Sequence, residues 1–286
     1  MYIYMNGEFV LQKDARISPF DHGFLYGLGV FETFRTYDGH PFLLDDHFQR
    51  LACSVKELNI ILPLDKNDLL KIIEQLLKIN KLRDAYIRFN VSAGEAPIGL
   101  QTEVYNNPNV IAFIKPIIGQ MLHAKKAIFL NTVRNTPEGT IRLKSHHYLN
   151  NILGKREVPD QDTEGIFLTK DGFVAEGVVS NVFWVKNGHV YTPSVKTGIL
   201  NGITRKFVIE LLKKNDIPCH EGFYKAEEVL EADEVFITNS IQEIVSITMV
   251  NGFEYSSSEI TQLLQEFYDD YKTKRLCGIK EIEERS

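Results

Sequence analysis

The apolar positions change period along the chain, and each change marks an element. Asn6-Gly7 sits between apolar-rich flanks, and Asp38-Gly39 separates VFETFRTY from PFLL, so both predict tight hairpins in an antiparallel region. Behind the Asp45-Asp46 start signal, Phe48, Leu51, Ala52, Val55 and Leu58 fall on one helical face, and Leu69 to Ile79 repeats the pattern. YIRFNVSAG, NVIAFIK and AIFLNTV then read as strands, with a loop from Ala96 to Pro108, rich in Asn, Gly and Pro, between the first two. A first domain is expected to end near Gly119. The remainder alternates again. A helix is expected from about Lys144, hairpins at Asp171-Gly172 and Asn187-Gly188, a helix from Thr204 to Lys214, the strand EVFITN, and a terminal helix around Leu263 to Lys274. No internal repeat or low-complexity stretch interrupts this order. The pattern predicts a mixed α/β chain of the α+β kind, with a smaller α+β domain over 1–119 and a β-rich domain over 120–286.

Composition narrows the function. With 286 residues, 44% of them hydrophobic and 24% charged, the chain has the length for two ordinary domains and the balance of a globular protein. A net charge of -6 argues against a nucleic-acid or membrane partner, because those surfaces need clustered Lys and Arg, and the lysines here are interleaved with acids. The N-terminal MYIYMNGEFV has neither a basic start nor a long apolar run, and no segment reaches the apolar length of a membrane span, so the expected location is the cytoplasm. Cys53, Cys219 and Cys277 are far apart and lack CxxC spacing, which suggests neither a disulfide framework nor a zinc site.

Three stretches carry candidate chemistry. In IRLKSHHYLNNILGKREV, Lys144 stands where a turn is expected to enter a helix anchored by Tyr148, Leu149, Ile152 and Leu153; partly desolvated there, it is a usable imine-forming nucleophile. Taken alone, a solvated lysine explains the same letters. In VAEGVVSNVFWV, strand apolars would hold Glu176 at the edge of a core, where a carboxylate can keep a pyridine nitrogen protonated. A surface glutamate is the plain alternative. In TGILNGITRKFVIELL a Gly-containing turn runs into an amphipathic helix with Thr204 near its start, and exposed N–H groups at a helix N-terminus favour a phosphate. Arg50 would add a charged donor there and Ser240 a hydroxyl or amide, although a Gly turn before a helix is most often only a cap.

Six ordered blocks settle between these readings: SPFDHGFLYGLGVFET, HFQRL, LKSHHYLNN, AEGVVSNVFW, GILNGITR and ADEVFITNS. From about Tyr2 to Val250 the chain resembles the class IV aminotransferases, the fold-type IV enzymes of pyridoxal 5'-phosphate (PLP), whose two-domain fold is that of the D-amino acid aminotransferases. The resemblance implies that Lys144 is the Schiff-base lysine, that Glu176 partners the pyridine nitrogen and that Leu200 packs against the ring. It also implies that Arg50, the backbone amides of Ile203 and Thr204, and Ser240 hold the phosphate, and that the protein is a homodimer with each active site near the subunit interface.

Within that family the cofactor seat is shared, so substrate-facing positions must choose the reaction. The D-amino acid enzymes carry an Arg and a His two residues apart that trap the substrate carboxylate, and the matching positions here are Ile98 and Leu100. Branched-chain enzymes show a GGNY-like run after the lysine, where this chain has SHHYLNN. The blocks are most similar to those of the bacterial lyases that cleave 4-amino-4-deoxychorismate to 4-aminobenzoate and pyruvate for folate synthesis. On that reading Lys144 is also the proton-transfer base, and the substrate is a small molecule. Arg88 in YIRF is a candidate for a substrate carboxylate and Phe31 for the pocket wall, against a solvated strand arginine and a core aromatic. The alternatives kept open are a D-amino or branched-chain aminotransferase and a non-catalytic PLP-binding protein.

Overall fold

The computed structural model describes residues 1–117 and 124–284, and it divides into two compact units. The boundary expected near Gly119 lies outside the described residues. The first unit takes Met1–Gly119 together with two short later segments, Leu143–His147 and Arg275–Gly278; the second takes the rest. Lys144 therefore groups with the N-terminal unit, although its sequence neighbours on both sides belong to the other.

In the first unit the elements are β1 (Tyr2–Met5), β2 (Glu8–Leu11), a short α1 (His22–Tyr26), β3 (Gly29–Tyr37), β4 (His40–Pro41), α2 (Leu44–Glu57), α3 (Lys66–Asn80), β5 (Ala85–Ser92) and β6 (Asn109–Pro116). Their strands form one sheet in the order β2-β1-β6-β5-β3-β4. Both expected hairpins form. Asn6 and Gly7 take φ of 50° and 100°, and Asp38 and Gly39 take 52° and 79°, the left-handed pair that matches strand twist. On α3, Leu69, Ile73 and Leu76 share the buried face, and the Asp65–Asp68 capping box satisfies its first turn. They pack with Val30, Phe34, Ile87 and Phe89 in the core of this unit, each contributing about 1.5–3 kcal/mol by burial.

The second unit contains β7 (Ala124–Phe129), α4 (Leu149–Glu157), β8 (Thr163–Leu168), β9 (Val174–Gly177), β10 (Asn181–Lys186), β11 (His189–Pro193), α5 (Ile203–Lys214), β12 (Cys219–Gly222), α6 (Ala226–Leu230), β13 (Glu234–Asn239), β14 (Glu243–Val250), β15 (Phe253–Glu254), α7 (Glu259–Thr273) and α8 (Glu281–Glu284). Its sheet runs β12-β11-β10-β13-β14-β7-β8-β9, with β15 paired to β14. Asn187-Gly188 closes the β10–β11 hairpin, and an Asn251-Gly252 turn that the sequence reading passed over closes β14–β15.

One expected element is displaced. The helix placed from about Lys144 begins at Leu149, and its supposed anchors face outward: Leu149 is 67% exposed, and Ile152 and Leu153 are exposed as well. The buried face of α4 is instead made by Asn151 and Gly154. Lys144 lies in an extended segment fastened to β3, where Phe31 N–H donates to Lys144 O at 2.9 Å and His146 N–H donates to Gly29 O at 2.9 Å. Strand pairing to a distant part of the chain, rather than a local helix, fixes this lysine. Among the described residues no helix is long and apolar enough to cross a membrane.

Candidate active site

In the first unit β3 supplies the floor of the site. Its sequence GVFETFRTY is almost wholly buried, and Glu32 lies inside it. A carboxylate buried among aliphatic side chains must be paired or neutralised. Here α2 brings His47 and Arg50 to it: the Arg50 guanidinium donates from Nε and Nη2 at 2.7 and 2.6 Å, and the His47 imidazole donates from Nδ1 at 2.6 Å. Burial alone would raise the Glu32 carboxyl, but Arg50 and then His47 outweigh it and hold the group at about 2. Burial pushes the His47 imidazole down, so the trio is carboxylate, neutral imidazole and guanidinium. Arg50, expected to contact a phosphate, keeps 14% side-chain exposure while its fork grips Glu32.

Around Lys144 the chain has brought three nitrogen-bearing side chains to one aromatic ring. The Lys144 ammonium lies 4.5 Å from the centroid of Phe31, and the Arg88 guanidinium lies 3.5 Å from the same centroid. The His146 imidazole stacks on Phe31 at 6.3 Å and 29°. Phe31 is only 2% exposed, so it serves as core aromatic and as wall of the lysine's surroundings together. Arg88 donates from Nε to Asn90 at 2.9 Å, and among the described residues it has no acidic partner. Gly29 is required here: a Cβ would lie 2.5 Å from the His146 ring and 2.8 Å from Val91 O, and even Ala would drive the imidazole away.

In the second unit Glu176 sits on β9, 4% exposed. Arg134 Nε donates to its Oε1 at 2.8 Å, Leu200 N–H donates to its Oε2 at 2.9 Å, and Arg142 Nε lies 3.7 Å away. Arg134 is itself steadied by Asn150 at 2.6 Å and Asn151 at 3.2 Å. Two guanidiniums thus face this carboxylate, and its two oxygens have lone pairs beyond those used. Burial, and then the neighbouring Arg134, lower Arg142 from its usual range.

The start of α5 is the other feature of this unit. Gly202 caps it without any side-chain acceptor, and no acidic residue stands in the first turn. The leading N–H groups, Ile203 and Thr204 among them, belong to the turn where a helix lacks internal acceptors and its dipole favours an anion. Thr204 is buried, and its hydroxyl pairs with that of Ser240 at 3.2 Å. Asn181 reaches from β10 to hold Leu200 O at 2.9 Å, and a Cβ on Gly202 would collide with the Asn181 amide. A glycine-walled, uncapped helix start and a desolvated carboxylate flanked by arginines suit a group that carries a phosphate and a basic aromatic nitrogen.

Each expected residue therefore has a place. Lys144, Phe31, Arg88 and Arg50 belong to the first unit, and Glu176, Leu200, Ile203, Thr204 and Ser240 to the second. The sequence reading missed Glu32, His47, Arg134, Arg142 and His146. Only Glu32 carried a signal, as a lone acid inside an apolar strand run; the arginines reach Glu176 from far upstream in the chain.

The family model for amino-transferase class IV matches residues 29–250. An aminodeoxychorismate lyase of Bacillus subtilis is 48% identical over 272 residues, covering 93% of each chain. A Methanocaldococcus jannaschii protein with a provisional branched-chain-amino-acid aminotransferase name is 40% identical, covering 99% of this chain and 100% of its own. Among solved structures, the branched-chain aminotransferase of Thermoproteus uzoniensis superposes with a TM-score of 0.88 at 29% identity, covering 96% of this chain and 95% of that one. The chain belongs to the class IV aminotransferase family.

Proposed function

We propose that the chain is a PLP-dependent lyase that converts 4-amino-4-deoxychorismate into 4-aminobenzoate and pyruvate. The observation that carries this reading is the likeness to the Bacillus subtilis lyase along nearly the whole of both chains. The loop at Ile98 and Leu100 supports it. Both side chains are apolar and exposed, at 73% and 92%, so they give a small amino acid's carboxylate no charged donor.

The cofactor, when bound, supplies an electron sink for the bond beside the substrate amine. Lys144 would hold the cofactor and, when free of it, would take the proton from the carbon that bears the substrate amine. Glu176, bonded by Arg134 and facing Arg142, would accept the pyridine N–H. The amides of Ile203 and Thr204 would hold the phosphate with Arg50 and the Ser240 hydroxyl, and Leu200 would pack against the ring. Phe31 lines the substrate side, where Arg88 takes a carboxylate. Loss of the proton and of the enolpyruvyl group leaves an aromatic product, so no second amino acceptor is consumed. The protein works as a homodimer in the cytoplasm.

The decisive experiment gives the holoenzyme aminodeoxychorismate and no keto acid. Equal amounts of 4-aminobenzoate and pyruvate over many turnovers are expected. A faster reaction of D-alanine or leucine with 2-oxoglutarate overturns the lyase reading in favour of a transaminase.

A further inference from the structure

We propose that His146 is a specificity-determining residue that donates a hydrogen bond from Nε2 to the enolpyruvyl group of the substrate. The inference rests on the lyase reading and deepens it. His146 Nε2 is buried and has no hydrogen-bond partner among the described residues. An unmade hydrogen bond of this kind costs about 1–3 kcal/mol, and such atoms are rare in native structures away from a ligand. The ring is held in place on two sides. It stacks on Phe31, and its Nδ1 edge faces Gly29, whose missing side chain makes the room.

The imidazole is neutral at physiological pH, because burial and then the Arg88 charge lower it to about 4. It can therefore offer a hydrogen bond without adding a third charge to Lys144 and Arg88. Those two cations both lie against the Phe31 ring, and Arg88 has no acidic partner among the described residues, so the surroundings of the lysine favour anionic groups. The substrate carries two carboxylates. One is on the ring, across from the amine; the other belongs to the enolpyruvyl ether on the carbon next to the amine. Lys144 must reach the amine-bearing carbon, so the substituent beside that carbon is the one that falls to a residue two positions away in the chain and on the same aromatic ring. As the C–O bond breaks, its electron pair goes to the departing oxygen, and a donor at that end of the substrate stabilises the charge that develops.

The test separates the ring of His146 from its donor. His146→Phe keeps an aromatic ring on Phe31 and removes the N–H; His146→Asn removes the ring and keeps an N–H donor. The probes are chorismate, which has a hydroxyl for the amine and keeps the enolpyruvyl group, and 4-aminobenzoate, which lacks that group. Each is titrated into cofactor-loaded protein. His146→Phe is expected to weaken chorismate binding and raise the KM for aminodeoxychorismate by about tenfold or more, the loss of one hydrogen bond to a charged group. Affinity for 4-aminobenzoate stays the same, and His146→Asn keeps most of the chorismate affinity. If chorismate affinity follows the ring instead of the donor, or if both probes weaken together, the inference is overturned while the lyase reading stands. Should His146→Phe fail to retain the cofactor, His146→Ala takes its place under the same outcomes. If the wild-type enzyme releases no 4-aminobenzoate from aminodeoxychorismate, the lyase reading fails and takes this inference with it.

Discussion

Glu176, the carboxylate proposed to face the pyridine nitrogen, is held in place by residues that would never touch substrate. Arg134 donates to it directly at 2.8 Å and is braced by two asparagines of α4. Arg134→Met keeps the bulk of the side chain and removes the charge, so Glu176 should bind the pyridine nitrogen less well. Turnover is expected to fall by about 10- to 100-fold, the equivalent of one charge-assisted hydrogen bond, with the phosphate seat and cofactor content less affected. Steady-state kinetics beside the visible spectrum of the bound cofactor checks it; an unchanged kcat refutes it. Acid exposes a second residue effect. The Glu32 carboxyl is held at about 2 against its ordinary 4.5, so below pH 4.5 the unfolded chain binds a proton that the folded protein refuses. That contribution, on the order of 3 kcal/mol, is complete above this window and is lost as pH falls through it. His146, lowered from 6.5 to about 4, acts with the same sign in its own window. Urea midpoints should therefore drop steeply from neutrality to about pH 3, and Glu32→Gln should be weaker at neutrality yet flatter across the acid range.

At the scale of elements, α7 is a helix whose N-terminus is satisfied from elsewhere. The side chain of its own cap residue, Ser258, accepts from the Gln262 amide at 2.7 Å and caps no backbone N–H; Glu234 on β13 accepts instead from Ile260 N at 3.0 Å, Thr261 N at 2.9 Å and the Thr261 hydroxyl at 2.8 Å. Glu234→Ala strands these buried donors and should cost about 2 kcal/mol, seen as a fall of several degrees in Tm with the cofactor spectrum unchanged. This arrangement also marks what sequence can carry. The Asn-Gly and Asp-Gly hairpins, the faces of α2 and α3, and the start of α5 were legible because each is decided within a few residues by turn chemistry or helical spacing. Glu234 as a cap was not, since cap and helix are separated in sequence. The same reason defeats the reading of Lys144: Tyr148, Leu149, Ile152 and Leu153 have helical spacing, but the contacts that hold the lysine come from Gly29 and Phe31. The family resemblance singled out Lys144 and Glu176, whereas Arg134, Arg142 and His146 became visible only through distances.

For the molecule as a whole, the first unit exposes apolar side chains that a solitary protein has little reason to keep. Phe24, Tyr26, Ile98 and Leu100 are exposed, and the Tyr26 hydroxyl accepts from Gly99 N–H at 2.9 Å, which joins α1 to the loop carrying Ile98 and Leu100. A patch of this kind marks a surface meant to be covered. Sedimentation should give a dimer for the wild type, and Ile98→Asp with Leu100→Asp should shift it towards monomer, while an unchanged mass places the subunit contact elsewhere. The threading of the chain has a last consequence, in the order of events during folding. Leu143–His147 must return to β3 after the whole of the intervening chain has been laid down, and closing so long a loop is slow because its entropy is lost before the pairing repays it. Lys144 thus has no local element to place it and is expected to take up its position only once β3 has formed.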